Sequence, residues 1–111
     1  MYERSRTILS TNIAGFTYHD GAEVFDELKV GKKLSLKLEP DNPFDSRAVA
    51  VYAGKLRIGY VPSHENAIIS DLLYFGHDDI FEVIVNRVAP ENNPERQVNI
   101  AIKIKDTREK P

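Results

Sequence analysis

Seven consecutive residues, Glu39-Pro40-Asp41-Asn42-Pro43-Phe44-Asp45, gather the groups in this chain best suited to recognising another molecule. Pro40 and Pro43 fix φ and remove two backbone donors, so no strand ladder continues through them. Asp41, Asn42 and Asp45 can accept hydrogen bonds from their own backbone and hold a loop in one shape. Phe44 is a large apolar ring among strand- and helix-breaking residues, where a core has little use for it. Asp45 follows it directly and Arg47 comes two residues later. A ring that stacks, a carboxylate that accepts hydrogen bonds and a guanidinium that pairs with anions make a recognition tip when a stiff loop presents them together. Glu39 and Asp45 also form a carboxylate pair of the kind used in acid–base chemistry. Nothing in the spacing sets them across a substrate, so a recognition loop is the preferred reading.

Other chemistries lack their residues. The chain has no cysteine, which excludes disulfides, thiolate metal sites and cysteine nucleophiles. His19, His64 and His77 are far apart and show no metal-ligand spacing. The acidic loop lacks the glycine and closing glutamate of a calcium loop, and Pro43 sits in its middle. There is no P-loop, no nucleophile elbow and no dinucleotide fingerprint. The expectation is a protein without enzymatic activity, metal or cofactor.

The loop must be carried by the segments on either side. Leu34, Leu36 and Leu38 alternate with Lys33, Ser35, Lys37 and Glu39, the pattern of a strand with one buried face. Ala48 to Tyr52 is a run of small, β-branched and aromatic residues and reads as a strand buried on both faces. Ala53-Gly54 predicts a tight hairpin into a strand over Lys55–Val61, in which Gly59 leaves a gap in the pleat beside Tyr60. Pro62 stops that strand. Ser63 is the expected N-cap of a helix with Ala67, Ile68, Ile69, Leu72, Leu73 and Phe75 as its apolar face and Gly76 just past its end. A first strand is expected over residues 7–17, with Ile8, Ile13, Ala14 and Phe16 as its apolar members, and a short helix over Ala22–Leu28. Ile80–Val88 and the clean alternation of Val98, Ile100, Ile102 and Ile104 supply two more strands. These elements predict a mainly β, α+β domain: six strands and two helices forming a small barrel or curled sheet whose edges are closed or plugged by the longer helix.

The length of 111 residues predicts a single domain over 1–111, with its core over about 7–105 and a tail at 106–111. No apolar run reaches membrane-spanning length and Met1–Arg6 opens no signal-peptide pattern. With the absence of cysteine, this favours a cytoplasmic location and no membrane partner. The net charge of −2 argues against bulk affinity for nucleic acid, but its distribution is uneven. Residues 29–60 carry seven basic and three acidic side chains, and residues 61–82 carry no basic and five acidic ones. The positive block holds the recognition loop, and a local basic face can steer an anion on a neutral domain.

Three segments together resemble the HIRAN domain: Ile13-Ala14-Gly15-Phe16 followed by Tyr18, the central Glu39–Val51 run E-P-D-N-P-F-D-S-R-A-V-A-V, and Ile58-Gly59-Tyr60-Val61-Pro62 ahead of a helix. The likeness spans about residues 8–105 and is that of the stand-alone bacterial form. It implies an OB-like β-barrel with added helices that binds single-stranded DNA and recognises its free 3′-hydroxyl end. Carried over position by position, Asp45 accepts the 3′-hydroxyl, Phe44 and Tyr18 stack on base or sugar, and Tyr60 and Ser63 line the site beside Asn42. The chain departs from the DNA-binding members at Thr17, Phe44, Tyr60 and Ser63, which removes phosphate or sugar contacts; Arg47, Arg57 and His64 are the candidates to substitute, with directions that the sequence does not give. The resulting expectation is a module for single-stranded DNA, used by a separate helicase or nuclease. The alternative is a protein-interaction or homo-oligomerising module that has kept the barrel and lost the DNA site.

Overall fold

The computed structural model describes residues 4–16, 25–93 and 96–108. Six strands form one antiparallel sheet in the order β1-β6-β5-β2-β3-β4. The strands are β1 (Ser5–Asn12), β2 (Lys33–Glu39), β3 (Ala48–Ala53), β4 (Leu56–Tyr60), β5 (Phe81–Val88) and β6 (Val98–Lys105). One α-helix, α1 (Ala67–Tyr74), lies between β4 and β5. The fold is therefore mainly β, as the alternation predicts.

β2 is the corner of this sheet. Its first residues pair with β5, Lys33 opposite Ile84 and Leu34 opposite Val83. From Ser35 to Glu39 it pairs instead with β3, from Ser35 opposite Tyr52 to Glu39 opposite Ala48. The handover curls the sheet around a core in which Val49, Val51, Ile58, Val85, Ile100 and Ile102 are fully buried. β3 is covered on both faces, which explains its lack of alternation. Ile69 of α1 enters the same core and Leu73 packs against it.

The predicted barrel and second helix take a different form. Among the described residues the sheet edges, β1 and β4, are not joined by a ladder; a bridge from Ala14, just past β1, to Tyr60 links them with hydrogen bonds of 2.8 and 2.9 Å. Among the described residues there is one α-helix: Phe25–Glu27 is a 3₁₀ turn, and residues 22–24 of the expected helix lie outside the described residues. β1 begins at Ser5 and ends at Asn12, earlier than the apolar pattern predicts. A bulge between Thr7 and Leu9 turns Ile8 outward, 43% exposed, and lets Leu9 pack on the core instead. Ile13 and Phe16 lie beyond the strand but are buried.

The helix also starts later than expected. Ser63 is exposed, and Asn66 occupies the N-cap position with its side chain directed elsewhere. The Pro62–Glu65 turn, closed by a 2.9 Å bond from the Glu65 N–H to the Pro62 carbonyl, uses the residues that resemble a cap. The far end is as predicted. Gly76 has φ +86°, and the Gly76 and His77 N–H groups bond back to Leu73 and Leu72 in a Schellman arrangement.

Candidate functional site

The recognition loop, residues 40–47, rises from the end of β2 and is fixed mainly by Asn42. The Asn42 carboxamide oxygen accepts from the N–H groups of Phe44 (2.9 Å) and Asp45 (3.2 Å). Its amide nitrogen donates to Glu39 Oε1 at 3.1 Å, and its backbone N–H reaches the Glu39 carbonyl at 3.0 Å. The loop closes with the Ala48 N–H on the Asp45 carbonyl, 3.0 Å. This rigidity presents Phe44 outward: the residue is 95% exposed.

Beneath the loop, the register brings three long side chains together. Glu39, Ala48 and Ala50 share the outer face of β2 and β3, and Tyr60 and Arg57 of β4 share it opposite Ala50 and Tyr52. Because the residues on β3 are alanines, groups from the strands on either side meet above them. Glu39 Oε1 accepts the Tyr60 hydroxyl at 2.7 Å and Glu39 Oε2 accepts Arg57 Nη1 at 3.0 Å. The Arg57 guanidinium lies 5.6 Å from the Tyr60 ring centroid. Burial would raise the Glu39 pKa, but hydrogen bonds from Tyr60, Asn42 and Arg57 outweigh it and hold the carboxyl below its usual range. Burial, reinforced by the bond to Glu39, pushes the Tyr60 phenol up. Glu39 thus holds the loop and β4 together through hydrogen bonds to Asn42, Arg57 and Tyr60.

Asp45 is fixed from both sides. Its Oδ1 accepts the Arg47 N–H and its Oδ2 accepts the Asn66 amide, each at 2.9 Å. Asn66 is 2% exposed, so this partner is rigid. A carboxylate has about four acceptor positions, and these two internal bonds fill two of them.

Two depressions flank Phe44. The smaller, about 270 Å³, is lined by Asn42, Phe44, Asp45, Tyr60 and Ser63 over a floor of Ala14, Ala48 and Val61. On the other side Asn42, Phe44 and Tyr60 face Arg57 and Glu39 across a broader, open hollow. The structure therefore gathers Asn42, Phe44, Asp45, Arg57, Tyr60 and Ser63 around one tip. Arg47 turns away, its Nη2 3.8 Å from Asp71 Oδ1 on α1, with both side chains more than half exposed. Tyr18 and Thr17 lie outside the described residues. Among the described residues no three His, Asp or Glu side chains stand together in a metal-binding group.

The basic block is more spread out than the sequence suggests. Lys33 and Glu39 mark opposite ends of β2, about 20 Å apart at a strand's rise. Lys33 and Lys37 share the outer face with Glu39, and Lys37 Nζ lies 5.9 Å over the Tyr52 ring. Two organisers, Glu39 as a hub and Asn66 as the clamp on Asp45, escape sequence reasoning. Glu39 was legible as the last outward residue of β2 and as a carboxylate near Asp45, but its actual partners depend on a register that alternation does not give. Asn66 showed no signal beyond being a residue type that caps helices.

A six-stranded curled sheet carrying a rigid aromatic–acid loop beside a shallow, partly apolar hollow defines a small β-sheet recognition module. The chain belongs to the HIRAN domain family, whose model matches residues 8–105. HIRAN domains are generally DNA-binding modules. The fold is shared with a crystal structure of a protein from Lactobacillus plantarum, at 19% identity and a TM-score of 0.76, covering 90% of this chain and 94% of that one. It is shared as well with the HIRAN domain of human HLTF, at 17% identity and a TM-score of 0.63, covering 92% of this chain and 77% of that one. No curated protein matches the chain.

Proposed function

We propose that this protein binds single-stranded DNA and seats its 3′ end at the β2–β3 loop. The observation that carries the reading is the Phe44 ring, almost wholly in solvent on a loop that has no freedom to bury it, next to a carboxylate held in one orientation. Stacking on aromatic side chains is how sheet surfaces hold single strands, and a ring this exposed beside a fixed carboxylate offers its face for it. The terminal nucleotide stacks on Phe44 over the smaller depression, and its 3′-hydroxyl donates to Asp45. Tyr60 and Ser63 border the sugar. Preceding nucleotides run back along the outer face of β2, β3 and β4, where Lys33, Lys37 and Arg57 alternate with Tyr52 and Tyr60. Cations interleaved with rings match the phosphates and bases of an extended strand. Such a module positions an end for a separate helicase or nuclease. The oligomerisation reading has less support, since Ala14 already occupies part of the β4 edge.

Phe44→Ala is the direct test. The ring contributes nothing to the core, so the variant should melt within about 0.5 kcal/mol of the parent protein. Loss of one stacked base is worth about 1–3 kcal/mol, so affinity for a labelled single-stranded oligonucleotide should fall at least about fivefold in fluorescence anisotropy at low salt. An unchanged affinity, or no binding by the parent protein at low salt, would remove the reading.

A further inference from the structure

We propose that the outer face of α1 and the turn after it form a docking surface for a basic, apolar segment of a partner protein. α1 is apolar on more than the side that meets the core. Ile69 is buried and Leu73 packs inward, yet Ile68 is 72% exposed, Tyr74 66% and Phe75 72%. Ile68, Leu72 and Phe75 are spaced i, i+4 and i+7 and therefore line one stripe of the helix. Tyr74 and Phe75 are in edge-to-face contact at 5.1 Å, which enlarges the apolar end of that stripe. Exposed apolar residues scattered singly need no explanation, but a contiguous stripe with aromatic members marks an interaction surface.

The charge around the stripe says what covers it. No lysine or arginine occurs between Arg57 and Arg87, whereas Glu65, Asp71, Asp78, Asp79 and Glu82 all fall in that interval. Asp71 lies on the helix itself, and Asp78 and Asp79 are exposed in the 3₁₀ turn that follows it. Arg47 Nη2 stands 3.8 Å from Asp71 Oδ1, a loose and exposed pairing. This field repels phosphates, so nucleic acid is not the occupant. It attracts lysine and arginine, so the complementary partner carries apolar anchors flanked by positive charge, as an amphipathic helix laid against a groove or stripe does.

The geometry separates this surface from the DNA site. Asn66, at the start of the helix, touches Asp45, while Phe75 lies nine residues on, about 13 Å away at a helix's rise. Both faces can be occupied at once, and the inference does not depend on the DNA reading.

The test uses the full chain and two synthetic amphipathic helical peptides, one of leucine and lysine and one of leucine and glutamate, followed by amide chemical shifts. The leucine–lysine peptide should cause saturable shifts at Ile68, Leu72, Phe75, Gly76 and Asp78, and the leucine–glutamate peptide none. Phe75→Ser, and separately the Asp78→Lys/Asp79→Lys double variant, should each weaken binding about tenfold, an affinity difference of about 1.4 kcal/mol. Both change exposed residues, and Phe44→Ala should leave peptide binding unchanged. The proposal is overturned by equal binding of both peptides, by shifts confined to other surfaces, or by no saturable binding. It is also overturned if the protein self-associates through α1 and Phe75→Ser abolishes that, since the occupant is then a second copy.

Discussion

Replacing Gly59 by alanine is expected to destabilise the protein by about 3 kcal/mol, lowering the melting temperature by roughly 12 °C for a domain of this size. A Cβ at this position would collide with the Ile13 side chain and stand 2.6 Å from the Ala14 carbonyl oxygen, and φ there is +153°. Ile13 is only 1% exposed, so it has nowhere to retreat. The Ala14 carbonyl is also engaged, since it accepts the Tyr60 N–H at 2.9 Å. Relief of the clash has to push the segment after β1 away from β4 and break the Ala14–Tyr60 bridge. Tyr60 follows Gly59 directly, so the damage falls on the proposed DNA site as well as on the core. Thermal unfolding followed by circular dichroism measures the effect. A melting temperature within about 2 °C of the parent protein would mean that the close approach of these two segments is absent in solution.

Glu39→Ala should have the second largest effect. The substitution leaves the Tyr60 hydroxyl, the Arg57 guanidinium and the Asn42 amide without the carboxylate that all three share. Hydrogen bonds to a charged group are worth about 1.5–3 kcal/mol each when well shielded. With the Arg57 side chain 40% exposed, a total loss of about 2–3 kcal/mol is expected rather than the full sum. DNA affinity should fall too, because Asn42 no longer has its anchor and the loop that presents Phe44 loosens. The same residue sets an acid limb of stability. The Glu39 pKa is lowered in the folded protein, so its contribution is complete above the pKa of a free glutamate, about 4.3, and is lost as pH falls from there through the folded-state value. Tyr60 acts in the opposite direction: its pKa is raised by folding, so its contribution is complete below the pKa of a free tyrosine and is lost as pH rises through the folded-state value. Glu39→Gln should flatten the acid limb in a pH series of urea unfolding curves. An acid limb of the same slope in the variant would assign it to other carboxylates.

The recognition loop could be read from the chain because its residues are self-sufficient. Prolines exclude strand pairing, and Asn42 and Asp45 fold the backbone onto their own side chains, so Phe44 has no route inward. β3 was equally legible, since only a strand covered on both faces uses Ala48, Val49, Ala50 and Val51 in succession. What was not legible depends on relations between distant segments. The two alanines on the outer side of β3 look like filler until the register sets Glu39, Tyr60 and Arg57 over them. The bulge that turns Ile8 outward leaves no trace in composition, because β1 is an edge strand with polar neighbours. The α1 sequence holds too many apolar residues to define one face, so Ile68 and Phe75 count toward the predicted apolar face although they stand in solvent. Ser63 after Pro62 has the local look of a helix start, and the buried bond from Asn66 to Asp45 decided otherwise.

End recognition as proposed requires Asp45 to accept the hydroxyl of a terminal sugar, and a comparison of two DNA ends reaches that bond without altering the protein. Two single-stranded oligonucleotides of one sequence, one ending in a 3′-hydroxyl and the other in a 3′-phosphate, are titrated against the parent protein at constant salt. Removing the donor and setting a phosphate against a fixed carboxylate should cost at least about 1.4 kcal/mol, a tenfold weaker Kd for the phosphorylated end, and Asp45→Ala should erase the difference. Equal Kd values for the two ends in the parent protein would contradict end recognition at this loop.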